Sequence, residues 1–448
     1  MTNPRISVFG LGKLGAPMAA VFGAKGFDVI GVDIDEQAVD AINAGRAPVD
    51  EPQLQTFLER AGHRVRATLV CAEAVRDSDI SFIIVPTPSH ADGYFSNRHV
   101  ITAIEDIGEA LRCKQGYHLV VVTSTVMPGS VGGPIRAALE QSSGRRVGAK
   151  LGLCYAPEFI ALGSVIHDML NPDLVLIGES DKRAGDLLVD VYAQSINSDP
   201  EFHRMNFVNA ELSKIAINTF ITTKISYANM LGEMCAALPD ADADIVTRAM
   251  GADSRIGGKY LKPAIGYGGP CFPRDNKAFA ALGRTFGVEC ALATATDRIN
   301  DHQVHRLTRA VADSAAPGQR VCILGLSYKP HTGVIDESQA VALAHRLSDA
   351  GYLVSAFDPL ANTALSEAFS VAPTAADAAR NASVVVVMTP WPQFKDMSWA
   401  THPKNPTIID PWGIVEAGPG IQIIRTGTGN RRKSGSRSGP LQPLPVSA

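Results

Sequence analysis

The feature that most constrains the fold is a strand that runs directly into a glycine-rich turn near the N-terminus. Arg5–Gly10 contains the short apolar run ISVFG, and Gly10–Gly15 reads GLGKLG. Apolar residues continue to about Phe22, which predicts a helix, and Asp28–Val32 predicts a second buried strand. A strand, a helix and a parallel strand form a βαβ unit, so we expect the chain to begin with a doubly wound α/β domain.

The glycine pattern and the acid that ends the second strand have the chemistry of a dinucleotide site. Gly10, Gly12 and Gly15 permit a tight turn, let the backbone approach a pyrophosphate and open a helix whose N-terminus favours phosphate. Asp33 follows the second strand and can accept hydrogen bonds from ribose hydroxyls. Its carboxylate would repel a 2′-phosphate, so the sequence predicts NAD rather than NADP. A doubly wound domain that binds no nucleotide is the alternative for this motif.

Three further strands are predicted at Ile80–Val85, Leu119–Val122 and Leu151–Leu153, with helical stretches between them. This alternation is typical of a parallel sheet with helices on both faces. Ligands of such sheets bind at the carboxyl ends of the strands, and the loops there carry hydroxyl groups and one acid. The loops are VPTP at Val85–Pro88, TSTVMPG at Thr123–Gly129 and YAPEF at Tyr155–Phe159.

Composition limits the class of protein. At 448 residues the chain is long enough for two or three domains, and 46% hydrophobic with 19% charged residues is ordinary for a globular protein. The net charge of −4 disfavours partners such as nucleic acid or a membrane surface. Neither a signal peptide nor a membrane span is predicted, because no apolar run reaches about 18 residues. Seven cysteines without CxxC spacing disfavour disulfides and a zinc site and suit a reducing cytoplasm, so we expect no metal.

A long helix is predicted over Glu211–Glu233, where apolar residues recur at helical spacing and the one internal glycine is Gly232. Lys214 and Asn218 are four residues apart and therefore share one face of this helix. Because apolar residues flank them on most sides, we expect both to point into a pocket or an interface. Such a helix would link two domains and build a homodimer.

The C-terminal part repeats the pattern of the first. Arg320–Lys329 is similar to the first strand and turn, and Ala350–Asp358 is similar to Lys25–Asp33, but the full glycine pattern is missing. Further strands are predicted at Val384–Met388 and Ile408–Ile409. We therefore expect a second Rossmann-like sheet that binds a different nucleotide or none.

These patterns together predict an α/β fold with two Rossmann-like doubly wound domains, joined by a long central helix and an all-helical middle region. The predicted limits are 1–200 for the NAD-binding domain, 201–315 for the helical and dimerisation domain, and 316–427 for the C-terminal domain. Residues 428–448 are rich in Gly, Ser, Pro and Arg, and we expect a disordered basic tail there.

A cysteine lies behind two glycines and a proline in Gly266–Phe279, which reads GYGGPCFPRDNKAF. Gly268 gives the backbone freedom and leaves room for a ligand to approach closely. Cys271 can act as a nucleophile if its thiolate is stabilised, for which Arg274 offers a positive charge. Asp275 adds a carboxylate within reach of the same pocket. An inert, buried cysteine in a Gly/Pro loop is the alternative, since free cysteines are mostly small core residues.

Together these residues resemble the UDP-glucose/GDP-mannose dehydrogenase family over roughly Arg5–Arg425. The motifs GYGGPCFPRD, ELSKIAINTFITTKISYAN, STVMPG and APEF carry the resemblance through their order and spacing. The family implies a four-electron oxidation of the C6 alcohol of a UDP- or GDP-linked sugar to the uronate, with two NAD⁺. A cysteine would hold the aldehyde as a thiohemiacetal and then as a thioester, which water hydrolyses.

The resemblance also assigns roles to residues at matching positions. Cys271 would be the nucleophile, and Lys214 with Asn218 would stabilise the developing alkoxide. Asp275 would assist proton transfer, and Glu158 would promote thioester hydrolysis with Thr125 as the nearby hydroxyl. The other matches are Gly10, Gly12, Gly15, Asp33 and Thr87 for the cofactor, and Lys329, Gly268 and Arg255 for the nucleotide sugar, Arg255 often from the neighbouring subunit of a homodimer.

The chain departs from the family pattern at four places. Arg274 stands where lysine is usual, which keeps the charge and changes the geometry. Residues 160–163 are apolar up to the glycine, where an acid is common. Asp336 and Trp412 stand where the family often has arginine. We expect an intact reaction with an altered set of nucleotide contacts.

Two other functions stay open. A two-electron dehydrogenase of the hydroxyacid or 6-phosphogluconate type would share the glycine pattern and the Lys/Asn helix, but Cys271 and the second Rossmann-like unit argue against it. A non-catalytic nucleotide-binding homologue is the other alternative. The joint presence of Cys271, Lys214, Asn218 and Asp275 argues against that one, because loss of function would release them from selection.

Overall fold

Two β-sheets organise the chain, and helices cover and connect them. The computed structural model describes residues 3–361, 367–397, 399, 405–416, 418 and 420–429. Except for residues 428 and 429, the tail predicted over 428–448 lies outside the described residues, so its disorder stays a prediction.

Eight strands form the first sheet, and nearly all of them are short and apolar. They are β1 (Ile6–Phe9), β2 (Val29–Val32), β3 (Val65–Thr68), β4 (Ile80–Ile83), β5 (His118–Val122), β6 (Leu151–Tyr155), β7 (Leu174–Glu179) and β8 (Glu201–Met205). Their spatial order is β3-β2-β1-β4-β5-β6-β7-β8. Neighbouring strands are parallel except β6 and β7, which are antiparallel. The central strands are buried along their whole length, because helices cover both faces.

The helices around this sheet bury one core on each face. They are α1 (Gly15–Ala24), α2 (Glu36–Asn43), α3 (Leu54–Ala61), α4 (Cys71–Asp77), α5 (Arg98–Arg112), α6 (Arg136–Ser143), α7 (Val165–Leu170) and α8 (Lys182–Ser195), with short turns at Gly62–Arg64 and Val131–Ile135. Side chains of a strand alternate between faces, so Leu119 and Val121 join one core while Val120 and Val122 join the other. This packing fixes the carboxyl ends of the strands at one edge of the sheet.

The middle region is helical and carries the candidate catalytic groups. It contains α9 (Phe207–Ala237), α10 (Ala243–Ala252), α11 (Phe272–Phe286) and α12 (Ala291–Ala312). α9 begins where the Asn206 side chain accepts a hydrogen bond from the Asn209 N–H at 2.9 Å. α11 begins after Cys271 and ends at Gly287, which has a φ of 67°. α11 and α12 both pack against α9. This packing places the loop that leads into α11 and carries Cys271, called the cysteine loop below, beside the long helix.

Within the described part of the chain a second sheet of six strands follows, with every neighbouring pair parallel. Its elements are β9 (Arg320–Leu324), α13 (Gln339–Asp349), β10 (Leu353–Phe357), β11 (Ser370–Val371), α14 (Ala375–Ala379), β12 (Val384–Val387), a turn at Pro392–Phe394, β13 (Thr407–Asp410) and β14 (Ile423–Arg425). The spatial order is β11-β10-β9-β12-β13-β14. This is the doubly wound order with its crevice beside β9, as in dinucleotide-binding domains.

The predicted α/β fold with two doubly wound sheets and a helical middle region is confirmed. The predicted domain limits stay predictions, and the first sheet extends through β8 to Met205. The sequence did not predict β3, β7, β8, β11 or β14. None of the described helices is long and apolar enough to cross a membrane.

Candidate active site

The turn after β1 has the shape that a dinucleotide requires. Gly10 has a φ of 96°, and a Cβ there would collide with the backbone oxygen of Ile84. A Cβ at Gly15 would collide with the backbone oxygen of Gly10, so α1 packs directly on the turn. A Cβ at Gly12 would meet no atom within 4 Å, which leaves this side of the turn open. The N-terminus of α1 can therefore receive a pyrophosphate.

Asp33 lies directly after β2 and fixes the same turn. Its Oδ2 accepts a hydrogen bond from the Leu11 N–H at 2.5 Å, and its Oδ1 accepts one from the Asp35 N–H at 2.9 Å. The residue is half-buried, so its carboxylate stays accessible to ribose hydroxyls. The open face at Gly12 and this carboxylate fit an NAD molecule.

Arg274 connects the cysteine loop to the loops of the first sheet. Its Nη1 donates to the Thr87 carbonyl oxygen at 3.1 Å, and its guanidinium lies 4.4 Å from the ring centre of Phe95. Thr87 in turn donates from Oγ1 to the Thr125 carbonyl oxygen at 2.8 Å. The planar guanidinium makes both contacts at once, which a lysine ammonium would not do in the same way. The sequence predicted that the loops of Thr87 and Thr125 lie at the same edge of the sheet, and it did not predict their link to Arg274.

Cys271 caps the start of α11 and is exposed to solvent. Its carbonyl oxygen accepts the Asp275 N–H at 2.8 Å, the first hydrogen bond of the helix. Protein atoms around the thiol desolvate it and Asp275 repels a thiolate, so the pKa of Cys271 is raised, while Lys214 and Arg274 act in the opposite direction. The thiol is accessible, and its reactivity depends on these two cations.

Lys214, Asn218 and Asp275 are buried beside this cysteine. The Lys214 Nζ donates to the Glu158 carbonyl oxygen at 2.7 Å and lies 4.4 Å from the ring centre of Phe159. Asn218 Nδ2 donates to Asp275 Oδ2 at 2.6 Å. Burial lowers the pKa of Lys214, and Asp275, Cys271 and Glu158 partly restore it. The burial of Lys214 and Asn218 agrees with the prediction that their face of the long helix points into a pocket or an interface.

Glu158 lies in the loop after β6, and its carboxylate faces α8. Tyr192 Oη donates to Glu158 Oε1 at 3.0 Å. Burial raises the pKa of Glu158 to about 7, although the Tyr192 hydrogen bond and the Lys214 charge lower it. A carboxylate with a pKa near neutrality is suited to take and release protons. Nothing in the sequence around Tyr192 marked it as a neighbour of this site.

Two further buried glutamates hold the loops of the site, and sequence reasoning missed both. Glu211 on α9 accepts the Gly129 N–H at 2.6 Å and the Val131 N–H at 2.7 Å, which fixes the loop that carries Thr125. Burial raises the pKa of Glu211 to about 7, against these hydrogen bonds. The available signal was its position three residues before Lys214, which places both side chains on one face of the helix.

The second of these acids, Glu51, precedes α3. It accepts the Gly163 N–H at 2.8 Å and the Val165 N–H at 2.9 Å, so it holds the apolar segment 160–163. Lys329 lies in the loop beyond β9 and is half-buried, and burial lowers its pKa while Asp168 and Glu51 raise it. The lysine predicted to bind phosphate thus has two acids near it.

The other residues predicted to bind substrate occupy different surroundings. Gly268 packs against the C-terminal unit, because a Cβ there would collide with the Glu337 backbone oxygen. Arg255 lies in the exposed loop after α10, where its Nη2 pairs with Asp253 Oδ2 at 2.7 Å. Within this chain Arg255 is turned towards Asp253, and its role stays a prediction.

The two positions where arginine was expected lie in different places. Trp412 donates from Nε1 to the Met388 carbonyl oxygen at 2.9 Å and is half-buried against the hydrophobic core of the second sheet. Asp336 lines a cavity of ≈720 Å³ between the loop after β4 and the cysteine loop, together with Arg274, Lys277 and Arg298. Arg284 adds a fourth cation to the cavity wall, and four further acids line it with Asp336, namely Asp92, Asp297, Asp301 and Glu337.

The fold and the site define a class of protein. The dinucleotide turn fits an NAD-dependent dehydrogenase, and a buried Lys–Asn–Asp group with an exposed cysteine beside it lies next to the same sheet. The chain belongs to the UDP-glucose/GDP-mannose dehydrogenase family. The models of its NAD binding domain, central domain and UDP binding domain match residues 4–196, 208–302 and 322–417.

Relatives and solved structures agree with this assignment. The chain is 38% identical over 396 residues to a UDP-glucose 6-dehydrogenase of Haloferax volcanii, covering 87% of this chain and 92% of the relative. It is 35% identical over 358 residues to a GDP-mannose 6-dehydrogenase of Pseudomonas aeruginosa, covering 79% and 81%. The structure of a UDP-glucose dehydrogenase from Pyrobaculum islandicum superposes with a TM-score of 0.84 at 33% identity, covering 91% and 94%.

The predictions of an NAD cofactor, of a nucleotide-sugar dehydrogenase and of the family itself are therefore confirmed. The comparisons give no support to the two alternatives, the two-electron hydroxyacid-type dehydrogenase and the non-catalytic homologue. The roles assigned to individual residues stay predictions, and so does the homodimer.

Proposed function

We propose that this enzyme oxidises the C6 alcohol of a nucleotide-linked hexose to the uronate, with Cys271 as the covalent nucleophile. The observation that carries the proposal is the burial of three polar side chains beside one accessible thiol. Lys214, Asn218 and Asp275 are 7%, 6% and 1% exposed, whereas Cys271 is exposed. Burying such polar groups costs free energy, so their presence together indicates that a function retains them.

In the first oxidation, Lys214 and Asn218 stabilise the negative charge that develops on the C6 oxygen. The ammonium is held by the Glu158 carbonyl oxygen and the amide by Asp275, so both donors are oriented before substrate binds. Asp275 takes up the hydroxyl proton through a water molecule. When bound, NAD⁺ accepts the hydride from C6 in each of the two oxidations.

In the second half of the reaction, the Cys271 sulfur adds to the aldehyde carbon and forms a thiohemiacetal. Loss of the hydride from that carbon, together with loss of the hydroxyl proton to Asp275 through a water molecule, leaves a thioester. Water then attacks the thioester carbonyl carbon, the C–S bond breaks, the Cys271 thiolate leaves and Glu158 takes the proton of the water. Lys214 favours the departing thiolate, because its charge lowers the pKa of Cys271.

The nucleotide is expected to lie against the C-terminal unit. Its family model describes a UDP binding domain over residues 322–417, which favours a UDP-linked sugar. Lys329 can contact the diphosphate as an ammonium ion, because the charges of Asp168 and Glu51 oppose the lowering of its pKa by burial. The relatives named above act on UDP-glucose and on GDP-mannose, so both belong in the test.

The test is to measure NADH formed per sugar consumed, with UDP-glucose, GDP-mannose and UDP-N-acetyl sugars as candidates. Two NADH per sugar and a uronate product are expected with one of them. One NADH per sugar with an aldehyde product would contradict the covalent route. Activity with GDP-mannose and none with UDP-linked sugars would contradict the preference for UDP.

We also propose that the enzyme is a homodimer built on α9 and α10. Large apolar side chains stay exposed along these two helices, which is unusual for a monomer surface. They are Val208, Leu212, Phe220, Tyr227, Met230, Met234, Ile245 and Val246. Phe220 is 66% exposed and Ile245 is 63% exposed, so water contacts most of both side chains in a single chain.

Sedimentation of the wild type and of Phe220→Asp tests the dimer. The wild type is expected at twice the chain mass, and Phe220→Asp at the mass of one chain, because a carboxylate in an apolar interface is costly. Phe286→Asp is the matched control, since Phe286 is also exposed, at 73%, and lies at the end of α11. A monomeric wild type, or the same mass for both Phe220 forms, would contradict the proposal.

A further inference from the structure

The two ends of Glu158 are held by different helices. Its carbonyl oxygen accepts a hydrogen bond from Lys214 on α9, at 2.7 Å. Its carboxylate oxygen Oε1 accepts one from the Tyr192 hydroxyl on α8, at 3.0 Å. Among the described residues, Tyr192 is the only one that hydrogen-bonds this carboxylate. Oε2 is therefore the oxygen left to meet a water molecule.

Tyr192 itself is fixed. The residue is 8% exposed, and its ring packs edge-on against Phe82 of β4, with ring centres 6.5 Å apart. Burial and the nearby Glu158 carboxylate raise the pKa of Tyr192 well above its usual value. The hydroxyl therefore keeps its proton throughout the working range of the enzyme and acts only as a donor.

We propose that Tyr192 is a positioning residue for the hydrolytic step, whose hydroxyl holds the Glu158 carboxylate ionised and directs its free oxygen at the attacking water. The inference rests on the proposed function, in which Glu158 takes a proton as water attacks the Cys271 thioester. Tyr192 forms and breaks no covalent bond. Water supplies oxygen to the carbonyl carbon, its proton passes to Glu158, and the thiolate leaves with the electron pair of the C–S bond.

The charges around Glu158 show why the ionised carboxylate depends on the hydrogen bond from Tyr192. Burial disfavours the carboxylate, and the two groups that favour it are Tyr192 from α8 and Lys214 from α9. The Lys214 charge is itself shared with Asp275 and Cys271 and opposed by Arg274. Lys214 also donates to the backbone of Glu158 rather than to its side chain. The Tyr192 hydroxyl is thus the direct hydrogen-bonding support for the ionised form.

Tyr192→Phe removes this hydroxyl and keeps the ring that packs on Phe82. Without the donor, the pKa of Glu158 rises, so a higher pH is needed to form the base. We expect the acid limb of the pH profile for thioester decay to move up by about one pH unit. A hydrogen bond to a charged group contributes roughly the free energy that corresponds to one pKa unit. Decay should be about fivefold slower at pH 7 and unchanged where Glu158 is fully ionised.

The experiment follows one turnover of the full enzyme with NAD⁺ and the active sugar nucleotide, from pH 6 to pH 10. Quenched samples are analysed by intact-protein mass spectrometry for the uronyl adduct on Cys271, and NADH is followed by absorbance. The rate of NADH formation should not change in Tyr192→Phe, while the adduct persists longer at low pH. Glu158→Gln should keep the adduct at every pH, and adding Tyr192→Phe to it should have no further effect.

Tyr117→Phe is the matched control. The Tyr117 hydroxyl is buried without a hydrogen-bond partner among the described residues. Tyr117 directly precedes β5, so it lies at the amino ends of the strands, whereas Glu158 follows the carboxyl end of β6. This variant should keep the wild-type profile. A Tyr192→Phe profile like that of the wild type would overturn the inference, as would an equal slowing at all pH values. If the wild type forms no adduct and one NADH per sugar, the proposed function fails instead.

Discussion

The Asn218 amide donates a 2.6 Å hydrogen bond to the Asp275 carboxylate, and this bond joins the helix that carries Lys214 to the helix that begins just after Cys271. Both partners are buried. Asp275 also acts through its charge, since it raises the pKa of Lys214 and that of Cys271. The Asp275 carboxylate thus orients the Asn218 amide, favours the charged form of Lys214 and disfavours the thiolate of Cys271.

Replacing this carboxylate should therefore change the pH dependence as well as the rate. Asp275→Asn keeps the size of the side chain but removes the charge that favours the Lys214 ammonium, so the pKa of Lys214 falls. We expect the alkaline limb of kcat, where the ammonium loses its proton, to move to lower pH. The rate at the optimum should drop by about 10²–10⁴-fold through loss of proton transfer.

Steady-state rates from pH 6 to pH 10 check this expectation, with Asp313→Asn as control. Asp313 is an exposed acid just after α12, and its removal should leave the profile unchanged. An alkaline limb that stays in place or moves to higher pH in Asp275→Asn would show that Asp275 does not support Lys214.

The main strands and helices could be predicted because the sequence patterns that indicate them are local. Central strands such as β4 and β5 are continuous apolar runs, and the glycine turn precedes a helix, so periodicity alone locates them. β3 reads VRAT and β8 reads EFHRM, with polar residues that a partly covered edge of a sheet tolerates. β11 has two residues, and its pairing with β10 defines it rather than its sequence.

The site could be predicted only in part, for the same reason. Motif spacing singled out Cys271 and Lys214, and the structure brings them together. Glu211 and Tyr192 contact the site across 80 and 34 residues of sequence, through hydrogen bonds to Val131 and Glu158. Tertiary packing determines such contacts, and neither residue belongs to a pattern that a single sequence displays.

The thiol is the group on which acid formation depends. Cys271→Ser should abolish uronate formation, because an alkoxide leaving group and a weaker nucleophile replace the thiolate. NAD⁺ binding should remain within about twofold of the wild type, since Asp33 and the glycine turn are untouched. Product analysis by mass spectrometry and NAD⁺ titration by fluorescence measure the two effects. Wild-type uronate production by Cys271→Ser would contradict the covalent mechanism.

Two glycines of the same turn should respond differently to one methyl group. A Cβ at Gly12 meets no protein atom within 4 Å, so Gly12→Ala should fold with an unchanged melting temperature. The methyl occupies the side open to the pyrophosphate, so NAD⁺ affinity should fall at least tenfold, about 1.4 kcal/mol.

A Cβ at Gly15 collides with the Gly10 backbone instead, so Gly15→Ala should lose about 1–3 kcal/mol of unfolding free energy. Thermal unfolding and NAD⁺ titration of both variants distinguish the two effects. Equal melting temperatures with equal affinities would show that this turn does not hold the cofactor.

Asp33 should decide between the two nicotinamide cofactors. Asp33→Ala removes the acceptor for the ribose hydroxyls and the anchor of the Leu11 N–H, so NAD⁺ affinity should fall about 10- to 100-fold, about 1.4–2.8 kcal/mol. NADP⁺ binding should be equal or tighter, because the negative charge that repels its 2′-phosphate is gone. Asp35→Ala is the control, since Asp35 caps α2 through the Gln37 N–H at 2.9 Å and its loss should lower stability by about 1 kcal/mol without changing cofactor preference. Equal losses for both cofactors in Asp33→Ala would mean that Asp33 only shapes the turn, and that another group selects NAD⁺.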